Sequence, residues 1–160
     1  MRYAATETEK EELCTKAGKI AEEYKRKTYH CPEALIRSVD EVLELHLSKD
    51  VIRSVCGFRG GGGGYHDRCG LIEAGIVLIS LLYGRDDPEE DALGYSYLVR
   101  ELHRRFLERM PSIYCRDILP LKRVTDELTC ISSYKTGAEV VTGLLLDAEE
   151  ILKERPWLNE

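Results

Sequence analysis

From Ile131 to Glu154 the chain reads ISSYKTGAEVVTGLLLDAEEILKE. Apolar side chains return at Ile131, Tyr134, Ala138, Val141, Leu145, Ala148 and Leu152, in alternating steps of three and four. A helix puts such residues on one face, because each turn brings positions three and four apart into register. An unbroken stripe of that length is the seam of a helix bundle, and Pro156 stands where the helix must stop.

The same period recurs upstream. Leu13, Ala17, Ile20 and Tyr24 predict a helix from about Thr8 to Lys27, with Glu9, Glu11 and Glu12 near its positive end. Pro32 suits the first turn of a second helix, which Leu35, Val39, Val42 and Leu45 or His46 carry to about Leu47. Ser48 can cap a short third helix, Lys49 to about Cys56. The segment from Cys69 to Tyr83 is apolar nearly all round, which predicts a helix buried on most sides and stopped by Gly84. Pro88 opens a helix with Tyr95, Leu98, Leu102 and Phe106 facing inward and Pro111 at its end. A helical turn begins at Cys115, and Pro120 to Thr129 reads as irregular. Alternating β-branched runs are missing. The expected fold is therefore all-α: a compact bundle of about five main helices plus short helical turns, with a glycine-rich loop before a buried central helix. Residues 1–160 form a single domain.

Composition narrows the class. A chain of 160 residues makes one core. A net charge of −6 without a basic tail argues against nucleic acid. The start MRYAATETEKEEL has no apolar signal core, and the longest apolar run, broken by Glu73 and Ser80, is shorter than the ~18 residues a membrane span needs. A cytoplasmic address without membrane contact is the expectation. Six cysteines in a reducing compartment then point to metal binding or redox chemistry rather than structural disulfides. There is no Cys-x-x-Cys pair and no haem-attachment motif.

Four of the six, Cys31, Cys69, Cys115 and Cys130, fall at predicted helix starts, whereas Cys14 falls mid-helix beside Leu13. The N–H groups of a helix start stabilise a thiolate and lower its pKa from ~8.5 toward ~3.5 to 7.5. If the four meet, their charge must be dealt with. Two thiolates about 4 Å apart repel by roughly 4 kcal/mol at an effective dielectric near 20. A converging set must bind a metal or cluster, pair as disulfides, or stay protonated.

Between Val55 and Gly70 the chain reads VCGFRGGGGGYHDRCG. A phosphate-binding loop would need a preceding strand and Gly-Lys-Ser/Thr, and neither is present. A slack linker would carry serine and join separable domains. The remaining readings are a backbone made thin so that a helix, ligand or cluster can approach Cys69, or a surface loop beside an incidental cysteine. His66 reads as a solvated loop histidine, with a second role as zinc ligand beside Cys56 and Cys69. Arg100, Arg104, Arg105, Glu101, Glu108 and His103 read as a solvated helix face, and the acidic run from Asp86 to Asp91 as complementing a helix dipole.

These residues resemble a known family of redox-active proteins named for the cysteine pattern C–GCAxxG–C–C. The likeness is carried by Cys31-Pro32-Glu33-Ala34, by Gly57-Phe58-Arg59-Gly60-Gly61-Gly62, and by Cys69-Gly70 ahead of the helix closed by Tyr83-Gly84. It continues through Tyr114-Cys115-Arg116-Asp117-Ile118-Leu119 and Cys130, and covers roughly residues 28–153. Leu71 and Ala74 stand where the family tends to have Ala and Gly, with Gly75 one late.

The resemblance implies a helical domain and a redox role, by thiol–disulfide exchange or through an iron–sulfur cluster, with an unidentified electron partner. Cys31, Cys69, Cys115 and Cys130 are then the catalytic or metal-ligating set, with Gly60, Gly61, Gly62 and Cys56 beside a cofactor. The alternative is a non-catalytic helical interaction module, stabilised by zinc through Cys56, His66, Cys69 and one further ligand. A metal-free bundle of buried thiols is a third reading. The seam on the last helix would serve inside one chain or in a homo-oligomer.

Overall fold

The computed structural model describes residues 6–119 and 130–159. Seven α-helices appear in order: α1 (Glu7–Arg26), α2 (Cys31–Leu43), α3 (Lys49–Ser54), α4 (Gly70–Tyr83), α5 (Leu93–Arg109), α6 (Cys115–Ile118) and α7 (Ile131–Glu154). Single 3₁₀ turns lie at Cys56–Phe58 and Pro156–Leu158. Among the described residues there is no strand, only an isolated bridge between Arg68 and Tyr114. No helix among them is long and apolar enough to cross a membrane. The irregular segment expected from Pro120 to Thr129 lies outside the described residues.

The long helix α7 is the spine, packing along α1 and touching α2, α4 and α5. Ala17, Gly18 and Ala21 form the small face that lets α1 approach it. A Cβ on Gly18 would come 2.8 Å from Glu139 Oε1. Lys10 of α1 and Arg105 of α5 both reach Asp147 of α7, at 2.9 and 2.7 Å, tying three helices at one point. The core between them holds Leu35, Ile36, Val39, Leu71, Leu78, Leu98, Leu102, Phe106 and Leu144. Burial of this apolar stripe, rather than helix propensity, is the main source of stability.

Several boundaries differ from the sequence expectation. Helix α1 starts one residue early because Thr6 and Glu9 form a capping box. Helix α2 ends at Leu43, not near Leu47, because Glu44 is left-handed (φ 50°) and Leu45 N–H turns back to Asp40 O. Helix α3 stops at Ser54. Pro88 does not open α5. Arg85 Nη1 donates to the carbonyls of Pro88 and Glu90, at 2.6 and 3.0 Å, and holds that stretch as a turn. The helix begins only after Asp91, whose Oδ1 accepts from Leu93 N–H at 2.9 Å. The acidic run therefore lies largely ahead of the helix rather than on its first turn. Helix α4 buries one face; Ile76 and Val77 are half-buried and Leu81 is exposed. It is apolar all round without being buried all round.

Candidate functional site

Each of the four cysteines does occupy a helix start. Cys31 and Cys115 are the first residues of α2 and α6, while Cys69 and Cys130 are the N-caps of α4 and α7. What brings them together is the glycine run. Gly60 to Gly64 all have positive φ, between 57° and 94°, a conformation costly for any side-chain-bearing residue. The coil is closed by Gly63 N–H to Gly57 O (2.9 Å) and His66 N–H to Gly60 O (2.9 Å).

From there residues 66–69 run antiparallel to residues 113–116. Arg116 N–H donates to His66 O (3.0 Å), Cys115 N–H to Asp67 O (2.6 Å), and Cys69 N–H to Ile113 O (2.7 Å). This short strap sets the chain at Cys69 beside the chain at Cys115. Arg68 locks it from outside by pairing with Glu73 and meeting His103 Nε2 at 2.9 Å, while His103 Nδ1 lies 2.7 Å from Val99 O. With Nδ1–H donated to that carbonyl, Nε2 is left to accept from Arg68. His103 is thus half-buried and engaged, not part of a solvated face.

Two glycines are required by close approach. A Cβ on Gly61 would lie 2.5 Å from Asp67 N and 2.8 Å from Cys115 Cβ. On Gly70 it would lie 2.7 Å from Phe58 O and 2.9 Å from both Cys31 Sγ and Pro32 Cδ. Gly70 thus provides tight packing beside Cys69. Gly60 offers its backbone N–H to the Cys31 sulfur. A Cβ on Gly62 would meet nothing within 4 Å, so its positive φ and not close approach is what calls for glycine there.

The result is a cavity of about 310 Å³ lined by Cys31, Cys69, Cys115 and Cys130, together with His66 and Tyr134. Cys69 and Cys115 are buried, and Cys31 and Cys130 half-buried; all six cysteines of the chain carry thiols. His66, whose own φ is 64°, places Nδ1 3.8 Å from Cys115 Sγ. It is a cavity histidine rather than a solvated one. Tyr134 was legible only as a seam residue; the one hint was a phenol on a stripe otherwise aliphatic, since a buried tyrosine needs a polar neighbourhood for its hydroxyl.

Electrostatics corrects the expectation of depressed thiol pKa values. Burial pushes Cys31 up to about 11, with the backbone N–H groups of Gly60 and of Cys31 itself acting in the opposite direction. Burial pushes Cys69 well above the ordinary thiol range, and the neighbouring thiols, Cys31 first, add to it. Desolvation of the anion outweighs the helix-start effect at these two positions. Tyr134 is likewise pushed up by burial and then by Cys31. Cys56 does not join the cavity. Its thiol lies by Glu33, and burial followed by that carboxylate raises its pKa. The zinc set of Cys56, His66 and Cys69 is therefore not assembled. Cys14 sits at the α1–α7 contact, near Gly143, where burial pushes it up to about 11.

Against known proteins, the family described as "Putative redox-active protein (C_GCAxxG_C_C)" matches residues 29–144. The chain belongs to this family. Membership supports a redox-related role in general terms, and the matched span holds all four cavity cysteines. No curated protein and no solved structure matches the chain.

The family's redox character raises the question of a bound metal. Among the described residues no group of three or more His, Cys, Asp or Glu side chains is arranged to hold a metal ion. The four cysteines share the lining of one cavity without forming such a group. Their chemistry is nonetheless the donor set used by iron–sulfur clusters, which are several atoms across.

Proposed function

We propose that this protein is a thiol-based oxidoreductase that cycles two cavity cysteines between dithiol and disulfide, in a reducing compartment such as the cytoplasm. The observation that carries this reading is the convergence of four chain-distant cysteines on one cavity, with an imidazole nitrogen on one of them. Cys115 is the attacking sulfur. His66 accepts its proton, giving a thiolate that burial alone would disfavour. The thiolate attacks a sulfur of a disulfide partner, forming a mixed disulfide as the partner's S–S bond breaks; the leaving sulfur takes the proton from His66. A second cavity thiol then attacks Cys115, releasing the partner's other half as a thiol that takes up the second proton. Two electrons pass to the partner, and the protein is left with one disulfide. Cys31, Cys69 and Cys130 are the available second thiols. Cys31 and Cys69, held protonated by burial, are slow to attack the partner disulfide themselves, which leaves the first attack to Cys115.

Titration of the reduced protein with a small disulfide under argon, followed by thiol counting and peptide mass mapping, tests this. The expected result is loss of two thiols, with Cys115 in the product. Oxidation confined to Cys14 or Cys56 would overturn it.

The shared placement of the four thiols on one cavity wall favours one second reading. Cys31, Cys69, Cys115 and Cys130 would hold an iron–sulfur cluster, which supplies one-electron transfer when bound. Anaerobic reconstitution with iron and sulfide would then give a brown protein, and a Cys69→Ser variant a colourless one.

A further inference from the structure

We infer that the redox partner is a small anionic disulfide, one bearing carboxylates or comparable negative groups, and not a protein. This deepens the thiol reading above and rests on it. Two observations carry it. The first is access. Cys69 and Cys115 are only 5% and 9% exposed, and the thiols open onto a cavity of about 310 Å³, the size that takes small ligands. Exchange with another folded protein needs a sulfur that protrudes, and these do not.

The second is charge. Besides the thiols, the cavity wall carries Lys25, Arg59, His30 and His66, and among the described residues no carboxylate lines it. Lys25 is half-buried, with Nζ 5.4 Å from the centre of the Tyr134 ring, so its ammonium is held at the wall rather than swinging free. Two carboxylates stand behind the wall without lining it, and Glu33 is near enough for its charge to act on Tyr134. Glu33 accepts from His30 N–H at 3.2 Å, and Asp67 faces Arg116 at 3.4 Å. The chain as a whole carries −6, so the cationic lining is a local reversal of sign. A cleft of one sign with apolar walls concentrates ligands of the other. The chemistry is the exchange already described: the ligand's S–S bond breaks, two cavity thiols are oxidised, and two small anionic thiols leave with the two protons.

The test compares three small disulfides of similar size and different charge: dithiodipropionate (anionic), hydroxyethyl disulfide (neutral) and cystamine (cationic). A simple thiolate in solution prefers the cationic reagent, because it is itself negative. The cavity should invert that order. Thiol loss at low ionic strength is expected to be about tenfold faster with dithiodipropionate than with cystamine, a ratio that two partly exposed cations can supply at a few-fold each. Added salt should shrink it. In a variant combining Lys25→Gln and Arg59→Gln, shown folded by circular dichroism, the ratio should fall to about one or below. Equal rates with all three reagents in the unaltered protein, or cystamine the fastest, would overturn the anionic assignment and leave the thiol reading standing. No thiol loss with any of the three would sink the thiol reading itself.

Discussion

Replacing Gly70 by alanine tests whether the cysteine cavity depends on backbone proximity. The added methyl would stand 2.7 Å from Phe58 O, 2.9 Å from Cys31 Sγ and 2.9 Å from Pro32 Cδ. Phe58 O is backbone and Pro32 Cδ is fixed in its ring, so of the three only the Cys31 sulfur can give way. Overpacking of this kind costs about 1–3 kcal/mol. Against it stands the helix preference of alanine over glycine, at most about 1 kcal/mol and smaller at a first helical position. The net loss is about 1–2 kcal/mol. For a chain of this length each kcal/mol lowers Tm by roughly 2–4 °C. Thermal unfolding in reducing buffer should therefore show Gly70→Ala melting about 2–8 °C below the parent. Gly57→Ala is the control, because a Cβ there meets nothing within 4 Å and the backbone φ is not positive. The clash also pushes Cys31 away from Cys69, so oxidation by a small disulfide should slow in Gly70→Ala and not in Gly57→Ala. An alanine at 70 that melts with the parent would refute the close α2–α4 approach on which the cavity rests.

Three further outcomes are expected. His66→Asn keeps a residue tolerant of left-handed backbone but removes the proton acceptor 3.8 Å from Cys115, so alkylation of Cys115 by iodoacetamide near neutral pH should slow about tenfold or more, with the circular dichroism unchanged. Cys31 binds its proton more tightly folded, with a pKa near 11 against about 9 for the open chain, so stability from this group is complete below pH 9 and lost as pH rises toward 11. Urea midpoints should fall across that window, and less so in Cys31→Ala. Phe106→Ala empties a fully buried site and should cost about 3–5 kcal/mol by urea unfolding; a loss below 1 kcal/mol would mean that the core is not packed around that ring.

Sequence periodicity was enough for the helices, because a stripe such as Leu13-Ala17-Ile20-Tyr24 encodes a face whatever packs against it. It misplaced ends where a single residue's backbone decides, as at Glu44, or where a turn competes for a proline, as at Pro88. The helix-start positions of Cys31, Cys69, Cys115 and Cys130 were equally legible, since a cap is a local property of a few neighbouring residues. Their sharing of one cavity was not. That depends on residues 66–69 pairing with residues 113–116, and on Gly61 and Gly70 admitting sulfur-bearing neighbours at van der Waals range.

The thiol pKa values show the division most plainly. From the chain alone a helix start predicts a lowered value, because partial charges on local N–H groups can be counted from sequence. The folded protein raises Cys31 and Cys69 instead, because desolvation depends on everything that closes around the sulfur, and those atoms come from distant parts of the chain. Local order is written in neighbouring residues; burial belongs to the assembled whole.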